Sequence, residues 1–130
     1  MGAFDMLRIA NSSLGMHQTW LDALAHNIAN ANTVRATGED AFQEQMVVAT
    51  ARPEGGVDVS GIELGDAQGV LTYAPDSPLA DADGNVRLPA MDMSVQMTSL
   101  VQAQRGFQAS VQVTKTAQDT YTAALQIGQR

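Results

Sequence analysis

Apolar side chains recur at helical spacing at both ends of the chain and at strand spacing only between them. Over residues 4–31, Leu7, Leu14, Leu21 and Ile28 fall seven apart, and Ala10, Leu24 and Ala31 share the intervening position with His17. A seam kept through about four heptads predicts a helix packed along a partner helix. Gly15 weakens its middle by roughly 1 kcal/mol relative to alanine. Residues 91–128 repeat the pattern, with Leu100, Phe107, Thr114 and Tyr121 seven apart, flanked by Met97, Val111 and Leu125. Beside that seam runs a stripe of small residues, Ala103, Ser110, Ala117 and Ala124, which admits another backbone closely. No proline follows Pro89, and Gly128 suits a helix end. Such a helix reaches about 55 Å, too long for the core of so small a protein.

The middle changes period. QMVVATA (45–51), VDVSGIEL (57–64) and GVLTYAP (69–75) read as three short strands, with PEGG (53–56) as a turn between the first two. DSPLADADGNVRLP (76–89) reads as turns. The fold class is therefore α+β, with long N- and C-terminal helices paired like a coiled coil and a small β-rich segment between them. The expected boundaries are 1–32 for the N-terminal arm, 33–90 for the middle and 91–130 for the C-terminal arm, the two arms together forming one helical domain.

Charge sharpens this division. The chain carries −7 overall: residues 1–32 sum to −1, residues 33–90 to −7 and residues 91–130 to +1. A helix with one solvated face normally displays many Lys and Glu. Here the non-apolar faces carry Asn11, Ser12, Ser13 and Gln18, then Gln102, Gln104, Gln108, Gln112 and Gln118. Neutral, hydrogen-bonding faces of this kind suit packing against protein on several sides, either within a bundle or against neighbouring subunits of a polymer. The acidic balance argues against nucleic acid, which needs clustered Lys and Arg. It also disfavours a basic membrane-surface helix, and no apolar run approaches a membrane span. MGAFDMLRIANSS lacks the basic start, apolar run and cleavage site of a secretory leader.

Candidate chemistry is sparse. The chain has no cysteine, and its histidines, His17 and His26, stand nine apart, off any helical metal-ligand spacing. His17, on the apolar seam, is better explained by packing. Gly61, Gly65 and Gly69 form neither a dinucleotide fingerprint nor a P-loop. DADGN (81–85) places its glycine fourth rather than sixth and lacks the closing glutamate of a calcium loop, so Asp83-Gly84 reads as a turn. No catalytic, cofactor-binding or metal residues are assigned.

Three blocks do carry a resemblance. N-x-A-N-x-x-T, formed by Asn27, Ala29, Asn30 and Thr33, resembles the N-terminal signature of the flagellar axial proteins, the rod, hook and related subunits. YAPDSPLADADGNVRLPAMDMSVQM (73–97) is similar to the central block of the family's proximal-rod members, with Tyr73, Pro75, Pro78, Ala80, Asp81, Gly84, Val86, Pro89, Asp92 and Met97 in place. RGFQASVQV (105–113) resembles the family's R-x-Y-Q-A-N-V, with Arg105, Gln108, Ala109 and Val111 in place. Phe107 stands for the usual tyrosine, Ser110 for asparagine, Gln96 for glutamate and Met91 for valine. The resemblance covers nearly the whole chain.

It implies a structural subunit of the basal-body rod, polymerising helically through its terminal helices around the export channel. The implied partners are copies of itself, other rod proteins and the flagellar type III export apparatus. The implied location is a rod crossing the periplasm, reached without a cleaved signal peptide. The remaining readings are another rod or hook paralogue and a free-standing acidic binding module. Leu7, Leu14, Leu21, Ile28, Leu100, Arg105, Phe107, Gln108, Val111, Tyr121 and Leu125 are the expected helix- or subunit-packing residues. Asn27 and Asn30, three apart on one helical face, are expected to bridge to an adjacent chain segment, and Asn32 to cap the helix in the left-handed conformation. With few large apolar residues, the arms are expected to order fully only on assembly.

Overall fold

The computed structural model describes residues 2–128, so Met1 and the Gln129–Arg130 end of the C-terminal arm lie outside the described residues. The chain runs α1 (Ala3–Ala29), β1 (Gln45–Ala51), β2 (Val57–Leu64), β3 (Val70–Tyr73), β4 (Asn85–Leu88) and α2 (Met93–Gly128). At the start of α1 the Gly2 N–H donates to the Asp5 carboxylate at 3.1 Å. That bond, with Arg8 beside it, holds the Asp5 carboxyl below its usual range.

The two helices pair antiparallel. Phe4 meets Tyr121 edge to face, Ser13 meets Ser110, and Asn27 meets Gln96. The buried stripe of α2 is the small one: Gln96, Ala103, Ser110 and Ala117, each seven from the next. On α1 the buried residues are Ala10, Ala23, Leu24 and Asn27. The larger seam residues Leu7, Leu14, Leu21, Ile28, Leu100, Phe107, Thr114 and Tyr121 flank this contact and are only half-buried. Small side chains in the contact let the axes approach, and the larger ones close over its sides.

The middle holds four strands, one more than the pattern predicts. They form two separate two-stranded sheets, β1–β2 and β3–β4, both antiparallel. The additional strand, β4, lies in the run read as turns, because NVRL is too short to show a period of its own. In β1–β2 the register skips Ser60, so Val59 faces Ala49 while Gly61 faces Val48. This bulge brings Val57 and Val59 onto the same face as Ile62 and Leu64, although the sequence sets the two pairs out of step. Ala41 and Val86 are the buried apolar residues of the middle.

Candidate assembly interface

The asparagine-rich end of α1 is built around one fully buried side chain. Asn27 is 0% exposed. Its Nδ2 donates to the Gln45 carbonyl at 2.9 Å, and its Oδ1 accepts from the Gln45 N–H at 2.8 Å. The amide thus pairs with the backbone of Gln45, the first residue of β1, as a neighbouring strand would, through one donor and one acceptor. The second Nδ2 hydrogen goes to Gln96 Oε1 at 3.1 Å, and Gln96 Nε2 donates to the Glu44 carboxylate at 2.6 Å. Three elements, α1, β1 and α2, therefore meet on one carboxamide. Glutamine at 96 can accept from Asn27 and donate to Glu44 at once; a glutamate there has no hydrogen to give.

Asn30 behaves differently. Its Nδ2 folds back to the His26 carbonyl at 2.9 Å, and its Oδ1 accepts from the Thr33 hydroxyl at 3.1 Å. It is the residue that ends the helix, with φ −105° and ψ 7°. The expected bridge to another segment is thus made by Asn27 and not by Asn30. The expected left-handed cap at Asn32 is absent too, since among the described residues only glycines have positive φ. A side chain that takes up the His26 carbonyl removes the need for that conformation.

Midway along the pair, His17 fills a notch. Its Nδ1 donates to the Ser13 carbonyl at 2.8 Å, which turns the Nε2 edge of the ring toward α2. A Cβ on Gly106 would come within 2.1 Å of that Nε2, so only glycine accommodates the ring. One turn on, the Ser13 and Ser110 hydroxyls meet at 2.8 Å, and Ser110 also donates to the Gly106 carbonyl at 2.9 Å.

The β1–β2 hairpin is tied along α1. Arg8 donates to the carbonyls of Glu54 at 2.7 Å and Gly55 at 3.1 Å, and the Ser12 hydroxyl accepts from the Val57 N–H at 3.1 Å. From Ser12 to Asn27 the ties span about 22 Å of helix, matched by seven strand residues at about 3.3 Å each.

The middle-block residues form the turn of β3–β4. The Asp81 carboxylate accepts from the N–H groups of Asp83 at 3.0 Å and Asn85 at 2.8 Å. The Asn85 bond above all, with Thr37 and the neighbouring amides, holds the Asp81 carboxyl below its usual range. Gly84, at φ 79°, passes under Tyr73 and Pro75; a Cβ there would meet the Tyr73 ring at 2.8 Å. Pro89 is buried just before α2, while Pro75 and Pro78 are exposed.

Among the residues predicted to pack, Arg105, Gln108, Val111 and Leu125 are exposed, as is Ala29 of the asparagine motif, and Thr33 is half-buried. From Thr122 to Gly128, α2 continues past the start of α1 with every residue exposed. The pattern marked Ser12 and Ser13 as part of a neutral face suited to packing, and missed Arg8, Glu44 and Gly106 as contact residues. Gly106 had a signal, a glycine in the interior of an otherwise strong helical pattern. The others are polar residues whose partners lie far off in sequence, and no local pattern marks them.

The family model described as "Flagellar basal body rod FlgEFG protein C-terminal" matches residues 84–127, from the β3–β4 turn to the last turn of α2. The chain is 31% identical to the flagellar basal-body rod protein FlgC of Salmonella typhimurium, with 99% of this chain and 100% of that protein aligned. It is 34% identical to FlgC of Yersinia enterocolitica over the same shares, and 30% identical to FlgC of Bacillus subtilis over 98% and 99%. These relatives match both helices and the middle together, where the family model covers only the C-terminal third. On that full-length likeness, the chain belongs to the FlgC family of flagellar basal-body rod proteins.

Proposed function

We propose that this rod subunit polymerises helically through α1 and α2, placing the helix pair around the export channel and the strands outside it. The observation that carries the reading is the uncovered surface of α2. Only one narrow stripe of the helix is buried, and the rest carries Val95, Met97, Val101, Val111, Val113, Leu125 and Ile127 exposed, with Arg105, Lys115 and Asp119 as its charges. A surface so apolar and so poor in charge is unlike that of a helix meant for water and suits burial by neighbouring subunits. Arg105, Gln108, Val111 and Leu125 are assigned to contacts between subunits. Leu7, Leu14, Leu21, Ile28, Leu100, Phe107 and Tyr121 are assigned to the sides of the helix pair.

The relatives are structural rod proteins rather than enzymes, and the family assembles with other basal-body components. The finer reading is a proximal-rod position across the periplasm, reached through the type III export apparatus. No helix among the described residues is long and apolar enough to cross a membrane. Electron microscopy of basal bodies from a strain with the gene deleted in frame tests the proposal. Membrane rings lacking a completed rod, hook and filament are expected. Intact basal bodies with normal filaments would overturn the reading.

A further inference from the structure

The outer face of the β3–β4 sheet is apolar where it meets its joining loop. Leu71 and Tyr73 alternate onto that face, opposite Arg87 and Asn85, and are 59% and 71% exposed. The opposite face carries Val86, 1% exposed. Leu79, in the joining loop, is exposed as well. The Tyr73 ring is held in place over Gly84 rather than loose in solvent. A fixed, exposed aromatic beside an aliphatic side chain is the kind of anchor that carries most of the energy of an interface.

The charge around this face specifies its occupant. From Pro53 to Val86 the sequence has no Lys or Arg, against Glu54, Asp58, Glu63, Asp66, Asp76, Asp81 and Asp83. Asp81 is committed to the turn. Asp76 and Asp83 are exposed at the same loop and belong to neither ion pair found among the described residues, Arg8–Asp5 and Arg52–Asp58. At the far end of the face Arg87 turns its guanidinium onto the carbonyls of Gln68 and Thr37, leaving Arg35 exposed beside it.

We propose that this face docks a different subunit, through a protein surface with an apolar centre and Lys or Arg opposite Asp76 and Asp83. A second copy is a poor occupant. Among the described residues Arg8, Arg52 and Arg87 are already engaged, and Arg35, Arg105 and Lys115 are scattered, so these offer no basic patch. The inference rests on the rod-subunit reading, and the test separates the two.

In the deletion strain, wild-type protein, Asp76→Lys/Asp83→Lys and Leu71→Ser are each supplied in trans. A deletion strain that swims normally defeats the rod reading itself. Given loss of swimming and its rescue by wild type, the double reversal is expected to keep the wild-type unfolding temperature in purified form. It should lower the share of cells completing a rod by about tenfold or more, since like charges across an interface cost several kcal/mol. Leu71→Ser repeats the test without altering charge. Swimming restored by Lys or Arg changed to Asp or Glu in another basal-body protein supports the proposal. Full swimming by both variants overturns it. So do suppressors confined to this chain's own Arg35, Arg105, Lys115 or Arg130, which would point to a second copy.

Discussion

The helix pair and the strand segment hold together by different means. Along α1 and α2, cohesion comes from long-range polar contacts set into a small-residue interface: Asn27 to Gln45 and Gln96, Ser13 to Ser110, and His17 against Gly106. In the β3–β4 turn, the same work is done within a dozen residues, by Asp81, Gly84 and a run of backbone bonds from Ala74 to Asn85. The lesson is that damage should spread in the first region and stay local in the second. Single changes on the helices are expected to unfasten elements far apart in sequence.

The largest effect is expected at Asn27. Leucine there leaves the Gln45 N–H and carbonyl and the Gln96 carbonyl without partners, and each such group costs about 1–3 kcal/mol where water cannot reach. Because Gln45 is only half-buried and water can take up part of the loss, Asn27→Leu should lower stability by about 2–5 kcal/mol in chemical unfolding and loosen β1 from α1 in hydrogen exchange. Asn30→Leu, whose lost bonds lie within one helical turn, should cost about 1 kcal/mol or less. Equal losses from the two variants would erase the distinction between a bridging and a terminal asparagine.

Gly106→Ala comes next. The added methyl must displace the His17 ring or push the helices apart, a strain of about 1–3 kcal/mol. If the notch is the cause, His17→Ala should recover most of the loss in the double variant, whereas independent effects would add. Thermal unfolding of the four proteins decides between these outcomes.

How much of this was legible follows from the range of each interaction. The two helices, their heptad seams and the small-residue stripe are visible because helical periodicity repeats over many residues. The three asparagines were conspicuous, but which one bridges was not, since that depends on where β1 passes. β4 and the Ser60 bulge escaped because a four-residue strand and a one-residue slip leave too little pattern. The same holds for Arg8 and Glu44, whose partners are set by tertiary structure. The family resemblance located the Tyr73–Gly84 block, and the geometry then gave a physical reason for its glycine.

On the strand side the expected effect is smaller and depends on pH. The Asp81 carboxyl titrates below its ordinary value of 3.8 in the folded chain because backbone amides favour its charged form. Its contribution is complete above the unfolded value and is lost as pH falls through the folded one. Asp81→Asn should therefore weaken the turn at neutral pH and approach wild type as pH falls through the folded value. Amide exchange of residues 81–85 and limited proteolysis at the turn measure this directly. Loss of protection on α1 in the same variant would contradict a local role.

The smallest change to the subunit itself is expected at the end of α2. Phe4 lies opposite Tyr121, so the turns from Thr122 onward extend about 10 Å beyond the partner helix. Their amides bond only within the helix, and Leu125 and Ile127 stand exposed on it, Ile127 at 76%. A helix end with no tertiary contact frays at little cost. In dilute monomer the amides of residues 122–128 should exchange almost as fast as in an unfolded peptide, while those near Ala103 and Ser110 stay protected. In assembled rods the same amides should become protected, because a neighbouring subunit supplies the missing face. Strong protection in a verified monomer would mean that this end is ordered without neighbours, and the exposed apolar surface of α2 would then need another explanation.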